Sequence, residues 1–163
     1  MKTALVTGAA RRIGAAIAQD LAKSGFNVAI QYASSEDEAH SLADTLKQQG
    51  VKAAAIEADL LDVAACGELF QKAASAVGPI DVLVNNASIF QNDDILDIDW
   101  DLWDKHFAIH LKAPSALSAL MAGQSQTEVA DGLIVNVVDQ RVWRLNPNFY
   151  SYTLSKAAMW TAT

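Results

Sequence analysis

The stretch "VTGAARRIGAAIAQDL", residues 6–21, ends an apolar strand-like run and begins an amphipathic helix, with the turn "TGAARRIG" between them. Gly8 follows the strand and Gly14 falls in the first turn of the helix. Small residues in such a turn let the backbone approach a pyrophosphate, and the helix N-terminus adds N–H groups and a dipole that favours anions. Glycines also occur in strand-to-helix turns for steric reasons alone, so the rest of the chain has to decide. Two arginines, Arg11 and Arg12, stand where a further glycine is expected.

Outward from this turn, short apolar runs alternate with longer amphipathic stretches. Strands are expected over 3–7, 27–32, 53–57, 82–85 and 133–137. Helices are expected over 12–24, 35–49, 63–77 and 100–123, with another from about 149. Gly25, Gly50 and the Gly78-Pro79 pair follow the first three helices as stop signals. Alternation of this kind predicts βαβ units and an α/β fold: a doubly wound parallel sheet, the Rossmann fold, with ligands at the carboxyl ends of the strands. No linker or repeat divides the chain, so residues 1–163 are expected to form one domain. The closing "YTLSKAAMWTAT" stops inside a helical pattern. The expectation is a domain whose C-terminal part is missing.

Composition narrows the function classes. Hydrophobic residues make up 52% and charged residues 19%, which suits a buried parallel sheet and argues against disorder. A net charge of −7 argues against a phosphate-tracking nucleic-acid binder. Neither a membrane-spanning run nor a signal peptide is legible, so a cytoplasmic protein is expected. The single cysteine, Cys66, has no partner for a disulfide, and His40 and His106 read as surface helix residues, so no metal site is expected.

Cofactor choice is read at the end of the second strand, in "AIQYASSEDE". NAD sites usually carry an acid there, on the ribose hydroxyls. Here the strand tip offers Tyr32, Ser34 and Ser35, with Glu36 and Asp37 only after the serines. Two hydroxyls together with Arg11 suit a 2′-phosphate, so NADP is favoured. One of the serines also reads as a helix N-cap, with Glu38 completing a capping box.

Three further stretches follow in order: "LVNNASIF", "IVNVVDQ" and "YSYTLSK". Together with "TGAARRIG" they resemble the short-chain dehydrogenase/reductase family over essentially the whole chain. The resemblance implies a Tyr-x-x-x-Lys catalytic pair, Tyr152 and Lys156. Residues four apart share a helix face, so the Lys156 ammonium is expected beside the Tyr152 phenol, lowering its pKa. The resemblance further implies a cofactor-binding set of Gly8, Arg11, Arg12, Ile13, Gly14, Tyr32, Ser34, Ser35, Asp59, Leu60, Asn86, Ala87, Ser88, Tyr152 and Lys156.

Thirteen residues before Tyr152 most of the family carries a serine; here the residue is Asp139. An aspartate there resembles the pteridine reductases, as do Arg11-Arg12 in the turn, Ser88 in "NNAS" and the aromatic Phe90 two residues later. That branch implies a substrate set of Arg12, Phe90, Asp139 and Tyr152. Phe90 would stack on a flat pterin. Hydride would pass from NADPH to a C=N carbon, with the proton delivered through Tyr152 and Asp139. Two alternatives stay open: a ketone or 3-oxoacyl reductase, and a non-catalytic nucleotide-binding protein. The second draws on His110, which stands where the family usually has asparagine and is expected to titrate near neutral pH, and on the abrupt ending. The family resemblance implies a homo-oligomer, dimer or tetramer, packed through the helices over 100–123 and from 149. The 163-residue chain alone is expected to bind cofactor weakly and turn over poorly.

Overall fold

The computed structural model describes residues 1–124, 129 and 131–163. Five strands, β1 (Thr3–Val6), β2 (Asn27–Tyr32), β3 (Ala53–Glu57), β4 (Val82–Asn85) and β5 (Leu133–Asn136), pair in parallel in the order β3-β2-β1-β4-β5. Helices α1 (Arg12–Lys23), α2 (Glu36–Lys47) and α3 (Ala65–Val77) connect the first four strands. The remaining helices are α4 (Trp100–Phe107), α5 (Ala113–Ala122) and α6 (Tyr150–Ala162). The strand order reverses direction between β1 and β4, which opens a crevice at their carboxyl ends.

Burial follows the pleat. Val6, Ile30 and Val84 face α1 and α2, where Ala18, Ala39 and Leu46 are buried. Leu5, Ala29 and Leu83 point to the other face, against Leu69, Ala73 and Leu117 of α3 and α5. Every residue of β1, β2 and β4 is buried, as a parallel sheet covered on both sides requires. β5 forms the outer edge, and its Leu133, Ile134 and Val135 remain exposed.

Three expected boundaries shift for local reasons. α2 starts at Glu36, with Ser35 outside the helix. α3 starts at Ala65 rather than 63, because Asp59 and Asp62 hold the preceding turns by accepting from the Leu61 and Ala64 N–H groups at 3.0 and 2.9 Å. The helix expected over 100–123 is α4 and α5 joined by a π-helical turn, Ala108–Lys112. Pro114 lacks the N–H that an α-helix would direct at the His110 carbonyl, and the ladder loosens just before it.

Candidate active site

The glycine turn is fastened from below by polar side chains at the strand ends. The Thr7 hydroxyl donates to the Val84 carbonyl (3.2 Å) and accepts from the Asn86 and Ala87 N–H groups (2.9 and 3.0 Å). Asn86 returns its amide to the Thr7 and Gly8 carbonyls at 2.8 and 3.1 Å. From β2, Gln31 accepts the Gly8 N–H at 2.7 Å and donates to the Ala58 carbonyl at 2.7 Å. Thr7 and Gln31 were not read from the sequence; their signal is a buried polar residue at the tip of an otherwise apolar strand. Gly8 sits at φ +60°, where a side chain is strained, and a Cβ on Gly14 would lie 2.4 Å from the Gly8 carbonyl oxygen. Both glycines are therefore required by the turn itself.

Above this turn the start of α1 is open. Arg11 occupies the N-cap without a side-chain cap, and no acid lies in the first turn. Those N–H groups fit a dinucleotide phosphate. Ile13 is exposed beside them, and Arg12, at φ +54°, carries an exposed guanidinium with no ion pair among the described residues. The expected capping box does not form: Ser35 makes no side-chain cap, and Glu38 pairs instead with Arg11 at 3.5 Å. Ser34 is exposed and Ser35 partly so, whereas the Tyr32 ring is buried against His40, leaving only its backbone at the strand tip. Asp59 is exposed and accepts the Leu61 N–H, and the Leu60 side chain is in the core.

Tyr152 lies at the centre of the second half of the site. Its phenol donates to Asp139 Oδ2 at 3.0 Å, while Asp139 Oδ1 accepts the Arg141 N–H at 2.8 Å and lies 3.5 Å from the Arg141 guanidinium. Asp139 is thus both a turn cap and the partner of the tyrosine. The hydrogen bonds from Arg141 and Tyr152 hold its carboxyl below the usual range despite partial burial. Burial, followed by the Asp139 charge, pushes the phenol well above its ordinary value; Ser88 and Arg141 act the other way.

That arrangement corrects the expectation for Lys156. Its ammonium donates to the Val137 carbonyl at 2.8 Å, and it is not among the groups that act on the phenol. Burial brings Lys156 down to about 8. A folded pKa below the unfolded value means that the unfolded chain binds more protons, so this group contributes stability as pH rises from about 8 toward 10.5. At pH 7 the charged, buried ammonium works against folding. We expect Lys156→Met to raise stability at pH 7 by roughly 2 kcal/mol. Denaturant melts at pH 7 and pH 9.5 check this, the gap between the proteins narrowing at the higher pH.

Both histidines of the α4 arch depart from expectation. His106, read as a surface residue, is fully buried and its Nδ1 lies 2.7 Å from the Ser151 hydroxyl. His110 is equally buried, with Nδ1 2.8 Å from Ser155 Oγ and Nε2 2.8 Å from Ser88 Oγ. Burial, Lys156 and His106 carry His110 down to about 2, so it does not titrate near neutrality. The i, i+4 pair of histidines faces an i, i+4 pair of serines on α6, with the Tyr152 ring edge-on to both imidazoles.

The loop after β4 brings the aromatic element into place. Asn92 accepts the Phe149 N–H at 3.0 Å, and Asp93 takes the Ser151 N–H at 3.1 Å and, through its carbonyl, the Tyr150 N–H. This caps α6 and seats Phe90, half exposed, edge-on to Tyr152 at 4.8 Å. Phe90 stacks face to face on Phe149 at 4.2 Å, and the Arg141 guanidinium lies about 5 Å from both rings. Phe149 and Arg141 carried no pattern that a sequence would betray, since one is a left-handed residue preceding a helix and the other belongs to a short 3-10 turn, Gln140–Val142. Among the described residues no cluster of metal ligands forms, and no helix is long and apolar enough to cross a membrane.

Known proteins resemble this chain in sequence and fold. The family model for short chain dehydrogenase matches residues 2–163. A 3-oxoacyl-(acyl-carrier-protein) reductase of Staphylococcus epidermidis is 34% identical over 158 residues, 97% of this chain and 64% of the relative. Among solved structures, FolM alternative dihydrofolate reductase 1 from Brucella canis, complexed with NADP, is 48% identical with a TM-score of 0.93, covering 99% of this chain and 64% of that one. Its counterpart from Brucella suis, also with NADP, is 49% identical with a TM-score of 0.91 over 99% of this chain and 67% of that one. The chain thus spans about 64% of the length of the first of these relatives. A family match that runs from the first strand through the Tyr152–Lys156 helix agrees with the switch-point crevice and the buried tyrosine, and the chain belongs to the short-chain dehydrogenase family.

Proposed function

We propose that the protein is an NADPH-dependent reductase of a flat C=N substrate of the pterin class. The observation that carries this is the Tyr152–Asp139 hydrogen bond, set beside the half-exposed ring of Phe90. NADPH, when bound, supplies the hydride. Tyr152 supplies the proton that the ring nitrogen needs, so that C=N becomes CH–NH, and Asp139 takes up the next proton from water and returns it to the phenolate. A carboxylate already hydrogen-bonded to the phenol suits this task better than the usual serine, because it exchanges protons with water readily. Phe90 offers an aromatic face to the substrate, and Arg141 keeps Asp139 ionised.

The phosphates fit the uncapped start of α1, with Gly8, Ile13 and Gly14 at the turn. For NADP rather than NAD, the support is the pair of uncapping serines and the nearby Arg11, whose exposed ion pair with Glu38 would yield to a 2′-phosphate. The Brucella FolM proteins, at 48% and 49% identity, agree with both parts of the proposal. Asp139→Ser restores the residue most of the family carries. We expect it to lower pterin turnover by about 10²-fold, the range of a positioned proton-transfer group, and to spare ketone reduction. Equal pterin rates in the two proteins would dismiss Asp139 from the mechanism.

A further inference from the structure

The loop after β4 inverts the usual pattern of burial. Of residues 91–97, Asp93 is the one that is buried, at 6% exposure, while Ile95 and Leu96 lie open to solvent. A carboxylate taken out of water without partners costs heavily, whereas an exposed leucine costs little. Among the described residues no ion pair reaches Asp93. The start of α6 meets it instead. The Ser151 N–H donates to both carboxylate oxygens, at 3.1 and 3.3 Å, and the Asp93 carbonyl accepts the Tyr150 N–H at 3.1 Å. Phe149, the N-cap of α6, supplies no side-chain cap of its own. Two first-turn N–H groups and the helix dipole thus converge on an acid from another element.

The same residue joins the two halves of the proposed chemistry. Asp93 stands three residues after Phe90 on one loop, and it binds the residue immediately before Tyr152. Phe90 and Tyr152 meet edge-on, with ring centroids 4.8 Å apart. Ser151 is also held from the other side, its hydroxyl 2.7 Å from His106 Nδ1. We propose that Asp93 is a positioning residue: its buried carboxylate fastens the start of α6 to the loop bearing Phe90, and so sets the spacing between the aromatic platform and the proton donor. This rests on the reductase function proposed above, in which a flat ring lies on Phe90 while Tyr152 protonates it. Asparagine and aspartate cap helices about equally well, so the brace depends on side-chain length rather than on charge.

The test reads the Tyr152 ring by NMR. The chain has three tyrosines, and the Tyr152 signals are assigned by their loss in Tyr152→Phe. Lying edge-on to Phe90, this ring is shifted by the phenylalanine ring current, and Phe90→Leu gives the unshifted reference. We expect Asp93→Ala to move the Tyr152 signals most of the way to that reference, and Asp93→Asn to keep them at wild-type positions. Asp93→Glu, which retains acceptor and charge but adds a methylene, is expected to move them as well. It reads the same length dependence if the alanine variant does not fold. A plain cap predicts otherwise: a melting temperature lower by about 3 °C in Asp93→Ala, with the ring signals of every variant at wild-type positions. That result overturns the proposal, as does an Asp93→Asn spectrum that matches Asp93→Ala. Single-turnover hydride transfer to dihydrobiopterin is expected to slow by about 10²-fold in Asp93→Ala, the effect of a misplacement of about 1 Å, with NADPH affinity unchanged. An unchanged rate beside moved signals also overturns the proposal. The ring signals need no substrate, so failure of the wild-type protein to reduce any pterin counts against the proposed function and leaves the spacing result standing.

Discussion

Tyr152→Phe is expected to leave a folded protein with its affinity for NADPH nearly unchanged and with turnover about 10²- to 10⁴-fold slower, the range for loss of a positioned general acid. The ring stays where it is, edge-on to Phe90, His106 and His110, because those contacts do not involve the hydroxyl. What is removed is the hydroxyl that donates to Asp139 Oδ2. Asp139 keeps its bonds from Arg141, so no buried charge is stranded, and the stability cost is about 1 kcal/mol. Cofactor affinity should move by no more than about threefold, less than one hydrogen bond's worth, since the phosphate turn is built from β1, β2 and β4. Single-turnover hydride transfer and equilibrium NADPH titration separate the two effects. Unchanged rates would remove Tyr152 from the chemistry; lost binding with normal rates at saturation would make it a cofactor ligand only.

Gly14→Ala is expected to damage the fold itself. The added Cβ would stand 2.4 Å from the Gly8 carbonyl oxygen, 2.6 Å from the Asn86 amide and 2.8 Å from the Ala9 Cα. Two of these are backbone, and Asn86 is itself tied to that turn by two hydrogen bonds, so nothing nearby can give way cheaply. We expect a loss of about 3 kcal/mol and a melting temperature lower by about 10 °C for a domain of this size, together with loss of NADPH binding. Gly67→Ala is the control. It lies in α3 with nothing within 4 Å of its Cβ, and the gain in helix propensity stabilises by about 0.5–1 kcal/mol. Equal melting temperatures for the two variants would contradict the close-packed turn.

The fold was legible because its signals are local and repeated. Alternating apolar runs and amphipathic stretches, punctuated by Gly25, Gly50 and Gly78, point to a doubly wound parallel sheet, and β1 to β5 fall within one residue of expectation. The π turn was not legible, since one proline acting on one carbonyl leaves no periodic trace. In the site, Tyr152, Lys156, Asp139 and Phe90 could be named from spacing and family likeness, and the structure brings Tyr152, Asp139 and Phe90 together. Their partners could not be named. His106 looks like an ordinary helix residue, and His110 stands out only by replacing the family's usual asparagine, until α6 places Ser151 and Ser155 opposite them, 45 residues away. The expected effect of Lys156 on Tyr152 failed for a related reason: an i, i+4 spacing puts two side chains on one face, and the Val137 carbonyl, from another element, decides where the ammonium points.

The central claim is that Tyr152 and Asp139 serve a ring nitrogen. Steady-state NADPH oxidation by the purified protein, with dihydrobiopterin, dihydrofolate and a series of simple ketones and 3-oxoacyl thioesters compared under one condition, tests it most directly. The account predicts that a pterin has the highest kcat/KM of the set, and that its turnover is lost in Tyr152→Phe. Good turnover of ketones or 3-oxoacyl thioesters with none of any pterin would contradict it.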